Sequence, residues 1–143
     1  MSTIAAIADA VATHINAGTF SQPVSAERMY QPAFTLEDLA DLRVSVVPRT
    51  VGIAAATRDS SVFECVVDVG VQKKLPAEGT DAEIDSLLDL VEEITDHLRL
   101  GRLPDAPEAA WAGIAHEPVV SSESLEQHRV LTSVLSVTYR VRR

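Results

Sequence analysis

A chain of 143 residues, 46% of them hydrophobic and 23% charged, has the composition of one globular domain and the length to bury a core without a disulfide or a structural metal. Its formal net charge of -9 argues against broad adhesion to DNA, RNA or anionic lipid, which depends on clustered Lys and Arg. A single cysteine, Cys65, allows no internal bridge and suits the cytosol without proving it.

The opening MSTIAAIADAVATHINAG is apolar, but it lacks a basic leader and is interrupted by Asp9 and His14. It therefore reads as a mature N-terminal helix, not an export signal. Ser2 or Thr3 is the expected cap, Ile4, Ile7, Ala8, Val11 and Ile15 make one face, and Gly18 ends the helix. Residues 24–31, bracketed by Pro23 and Pro32, have strand character. TLEDLADL, entered through Thr35 or the turn after it, suggests a single helical turn carrying Leu36, Leu39 and Leu42. Arg43 to Arg49 reads as a strand, with Val44 and Val46 on one side and Ser45 and Val47 on the other; Pro48 marks its end or an edge position.

The next stretch, VGIAAA at Val51 to Ala56, is apolar without strong alternation and runs into the polar TRDSS. One reading extends the preceding strand and packs the stretch on its own sheet. The other makes it a long hairpin arm or loop whose side chains are buried against a second copy of the chain. On that second reading Val51, Ile53, Ala54, Ala55, Arg58 and Trp111 are the candidate subunit-interface residues.

From Phe63 the alternation is clean, with Phe63, Cys65, Val67, Val69 and Val71 on one face and Glu64, Asp68 and Gln72 on the other, as in a half-buried antiparallel strand. After a Pro and Gly loop over 75–79, Thr80 and Glu83 have capping-box spacing. Ile84, Leu87, Leu88, Val91, Ile94 and Leu98 then form the apolar stripe of a helix that Arg99, Gly101 and Pro104 bring to a stop. Residues 109–120 read as a strand carrying Trp111, SSESLE as an acidic connection, and the last strand places Leu131, Leu135, Val137, Tyr139 and Val141 on one face. Thr132, Ser136, Thr138 and Arg140 take the other face. No internal repeat or dividing linker occurs. The expected architecture is one α+β domain over residues 1–143, a mainly antiparallel (mixed) sheet of four to five strands with two main helices on one face.

Motifs for catalysis are scarce. The chain has no G-x-S-x-G nucleophile elbow and no closely spaced glycines to cradle phosphate. His14, His97, His116 and His128 are too far apart in sequence for a zinc pattern. Cys65 falls on the apolar face of its strand, where a thiol acts as a small hydrophobe. Trp111 is either an interface anchor or a core residue. No catalytic residue, metal or cofactor is expected, and no stretch reaches the about 18 uninterrupted apolar residues of a membrane span.

The most informative charge pattern is on the second helix. Asp81, Asp85, Asp89, Glu92 and Asp96 step by three and four into one stripe. Water and salt can screen them. Alternatively they face basic residues of a neighbouring subunit, or a passage where a polyanion must not stick; acid and base chemistry is a third option. Arg140, Arg142 and Arg143 form the one basic cluster and a candidate contact.

Taken together, the N-terminal helix, the alternating FECVVDVGVQKK, the acidic helix DAEIDSLLDLVEEITDHL and the terminal strand VLTSVLSVTYRVRR resemble the small tail-terminator and neck-completion proteins of tailed bacteriophages, over most of the chain. The resemblance implies a virion protein without enzymatic activity, assembled in the host cytoplasm into a homo-oligomeric ring, typically hexameric. Such a ring caps the tail tube and joins it to the head-tail connector or stopper protein, and DNA is met only in passage through the lumen. A neck stopper, adaptor or minor tail protein of the same virion shares these features. A small cellular binding module or enzyme is the more distant alternative, for which a pocket with convergent polar groups would be the sign.

Overall fold

The computed structural model describes residues 2–31, 34–76 and 80–143, the Thr80 side chain excepted. Ser2 accepts a hydrogen bond from the Ala5 amide and caps α1 (Thr3–Ala17), which stops at Gly18. Six strands follow around the two further helices: β1 (Ala26–Arg28), β2 (Arg43–Ala55), β3 (Ser61–Lys74), β4 (Arg102–Leu103), β5 (Ala106–His116) and β6 (Val130–Arg142). They form one mixed sheet in the order β1-β2-β3-β6-β5-β4. Only β1 and β2 run parallel.

The alternation in β3 and β6 decides which face is dry. Cys65, Val67, Val69 and Val71 lie beside Leu135, Val137, Tyr139 and Val141, and all are buried against Ile7, Val11 and Ile15 of α1 and Leu90, Val91, Ile94 and Leu98 of α2 (Thr80–Leu98). Both main helices therefore cover the same face. A second, smaller cluster of Leu75, Leu87 and Leu131 closes the end of the sheet, with Leu125 of α3 (Ser122–His128) packed on it.

Several sequence expectations need correction. The strand expected over 24–31 is three residues long, because β1 is held only where it pairs with Val44 to Val46; Pro32 lies outside the described residues. β2 does not end at Arg49 but continues to Ala55 after a bulge between Pro48 and Thr50. The strand expected over 109–120 runs from Ala106 to His116 and pairs on its outer side with the two-residue β4, so the sheet has six strands where four to five were expected. The SSESLE connection contains α3, capped by Ser121 and ended by Arg129 in the left-handed conformation. The expected turn near Thr35 is present: Thr35 and Asp38 exchange side chain to amide hydrogen bonds of 3.1 Å, and a 3-10 turn spans Asp38–Ala40. Of the 75–79 loop, residues 77–79 lie outside the described residues, as does the Thr80 side chain of the expected capping box. Glu83 instead pairs with Lys73 Nζ at 2.9 Å.

Candidate functional site

β1 pairs with β2 only over Val44 to Val46. Beyond that point the outer edge of β2 has no strand partner among the described residues, and the sheet narrows into an arm. Thr50 to Ala55 pair with Val66 to Ser61, while Val62 to Val66 pair on their other side with Arg142 to Thr138. Ser61 and Arg143 exchange backbone hydrogen bonds of 2.6 and 2.8 Å. The arm is thus a three-stranded ribbon almost to its tip, where the Ala56 and Thr57 amides both donate to the Ser60 carbonyl oxygen.

VGIAAA extends its own strand, as one reading held, yet its side chains are not packed away: Val51 to Ala55 are all exposed. The bulge fixes their orientation. Val44 and Val46 face the helices before it, and Val51 and Ile53 face the same side after it, opposite Cys65 and Phe63. Exposure grows across the ribbon, from 4% at Val141 through half-buried Phe63 to 62% at Ile53. An apolar row therefore runs out of the core and ends in solvent, on an unpaired strand edge of the kind natural proteins usually protect.

The basic residues gather at the same arm. Arg58 is exposed at its tip. Arg140 pairs with Glu64 (3.2 Å), Arg142 donates to Ser60 Oγ, and Arg143 lies over the Phe63 ring and donates to Thr3 Oγ1. Trp111 is not part of this group. It shares a cross-strand row with Tyr139, Cys65 and Val51 but stands three strands from β2, roughly 14 Å away at the usual strand spacing. It is half-buried and packs against the core.

Asp81, Asp85, Asp89, Glu92 and Asp96 are all exposed on α2. Asp96 pairs with Arg99 at 2.8 Å; the other four have no Lys, Arg or His within ion-pair distance among the described residues. Alongside them, between α2 and β5, runs an open groove of about 410 Å³ lined by Leu88, Glu92, Thr95, Ile114, His116, Val119 and Leu135. It brings together residues too far apart in sequence to be read as a site. Only Leu88, at the half-buried edge of the apolar stripe next to the acidic one, gave a hint of it.

Three of the four histidines, His14, His97 and His116, have structural partners. His97 donates from Nε2 to the His14 carbonyl oxygen at 2.8 Å and stacks on the His14 ring. His116 Nε2 is 2.5 Å from Ser133 Oγ; Ser133 is fully buried, so the imidazole satisfies a core hydroxyl. Burial lowers the His116 pKa, and burial followed by the neighbouring His97 lowers that of His14. Cys65 is fully buried, and that burial raises its thiol pKa, keeping it a neutral, weak nucleophile. Among the described residues, no group of three or more His, Cys, Asp or Glu is placed to hold a metal ion, and no helix is long and apolar enough to cross a membrane.

No protein-family model matches the chain, and a search of curated proteins finds no significant match.

Proposed function

We propose that the chain is a structural virion subunit that forms a ring at the head-proximal end of a phage tail, capping the tail tube and joining it to the head-tail connector. The observation that carries this reading is the arm. A hydrogen-bonded ribbon that exposes Val51 and Ile53 on an unpaired edge is costly for a protein that stays alone and useful for one that meets its own copies. The order and texture of the elements, which resemble those of tail-terminator and neck-completion proteins, favour this position in the particle. On this reading the task is mechanical: the subunit needs a rim for its neighbours and faces for tube and connector, and DNA is encountered only as it passes through the lumen.

Electron microscopy of the purified chain, alone, mixed with isolated tail tubes and mixed with isolated head-tail connectors, tests the proposal. Rings seated on the head-proximal tube end are the expected result. Rings found instead on the connector side would assign the chain to a stopper or adaptor role, and a chain that remains monomeric and leaves both tubes and connectors bare would overturn the assembly reading.

A further inference from the structure

The geometry points to how neighbouring subunits meet: the arm of one copy lies in the groove between α2 and β5 of the next. This inference rests on the ring reading above and names the contact that the ring would use.

The two surfaces match in chemistry. The arm presents the apolar side chains Val51 and Ile53 on an unpaired edge, with Arg58 at its tip and Arg143 on the same face over Phe63, while Arg142 projects from the opposite face beside Val62. The groove has an apolar floor of Leu88, Ile114, Val119 and Leu135 and an acidic rim led by Glu92. Asp81, Asp85, Asp89 and Asp96 continue that rim along the helix, and α2 contains seven acidic residues and no Lys or Arg. Other charges temper each side: Asp59 and Glu64 belong to the arm, and Lys73 reaches Glu83 at the start of α2. The balance still leaves a cationic arm and an anionic rim. Complementary potentials of this kind set register and partner choice more than raw affinity.

The two surfaces also lie apart on the subunit. The arm is built on the first residues of β3, while α2 begins beside its last ones, where Glu83 meets Lys73 and Leu87 meets Leu75. The groove lies between these ends: its residues His116 and Leu135 stand in one cross-strand row with Val69 of β3, roughly 26 Å along the strand from Ser61 at about 3.3 Å per residue. Because the arm is a continuation of the same strands, it cannot bend back into its own groove. A contact between two different patches is heterologous, and repeated around an axis it closes into a ring.

The test uses charge-reversed full-length chains and native mass spectrometry, with circular dichroism to establish that each is folded. The Arg58→Glu/Arg143→Glu chain has a disabled arm, and the Asp85→Lys/Glu92→Lys chain a disabled groove. Each should associate with itself on the order of 100-fold more weakly than the wild type, since each places like charges in contact. Mixed together, they should co-assemble into rings in which the two chains alternate, because the Arg-bearing arm of one meets the acidic groove of the other and the Glu-bearing arm meets the Lys-bearing groove. All four changes in one chain should likewise restore rings. Wild-type-like rings from either double variant alone, or a mixture that does not co-assemble, would overturn the inference and leave the ring reading intact. A wild-type chain that stays monomeric at every concentration and on tail tubes would overturn the ring reading and this contact with it.

Discussion

His97 stacks on His14 with ring centroids 4.2 Å apart and an interplanar angle of 18°, while its Nε2 donates to the His14 carbonyl oxygen at 2.8 Å. One residue near the end of α2 thus holds the last turn of α1 through both ring and backbone. Gly18 makes room for the contact: a Cβ there would lie 3.0 Å from the His97 ring and 2.8 Å from Phe20 Cζ.

This junction makes stability depend on pH. His14 and His116 have pKa values lowered from 6.5 in the folded chain, so the unfolded chain binds protons more readily. Stability therefore rises with pH across the window below about 6.5 and is fully present above it. Urea denaturation should give a lower midpoint at pH 5 than at pH 7.5, and the double variant His14→Asn/His116→Asn should show a smaller difference between the two. An undiminished difference in that variant would assign the effect to other groups.

The arm should matter for assembly and hardly at all for folding. Val51 and Ile53 are 41% and 62% exposed, and changes at such surface positions usually fall within about 0.5 kcal/mol. Ile53→Asp should melt like the wild type when monomeric, yet fail to form rings by electron microscopy. A large drop in monomer stability would mean that the residue serves the fold instead.

The dry face of α2 should behave in the opposite way. Ile94 is fully buried in the main cluster, and truncating a buried isoleucine to alanine costs about 2 to 5 kcal/mol. Ile94→Ala should lower the urea midpoint accordingly, with no change in the surface charge that the neighbouring acidic stripe presents.

Tyr139 offers a case in which removing a polar atom should help. Its hydroxyl is buried with no hydrogen-bond partner among the described residues, and that burial pushes its pKa far above the ordinary phenol value. An unsatisfied buried hydroxyl costs about 1 to 3 kcal/mol. Tyr139→Phe keeps the ring packing and should raise stability by about 1 kcal/mol. A loss of stability would show that the hydroxyl has a bound water as its partner.

Where period and burial coincide, the sequence was sufficient. The alternation of Cys65 to Val71 and of Leu131 to Val141, and the three-and-four spacing of Leu87 to Leu98, each described one face of one element and needed no distant partner. β1 and the second half of β2 were harder. Ala26 to Arg28 form a strand only because Val44 to Val46 are there to pair with, and the continuation past Pro48 depends on β3 and on a bulge at a free edge, where proline is tolerated. α3 was missed because a seven-residue helix with Leu125 as its main apolar residue has too little period to detect, although Ser121 followed by an acidic segment was the available capping signal. The candidate surfaces were split in the same way. The acidic stripe and the apolar stretch could be seen locally, whereas the groove between α2 and β5 is made of chain segments that only the fold brings together.

The third strand of the arm arrives late. Val62 pairs with Arg142, and Cys65 with Tyr139, so while a nascent chain still lacks β6 it can offer only the β2 and β3 hairpin, and a lone hairpin is marginal in water. A copy on the ribosome whose β6 has not yet emerged therefore has no finished ribbon to give a neighbour, and synthesis order itself delays contact between copies until β6 has been made.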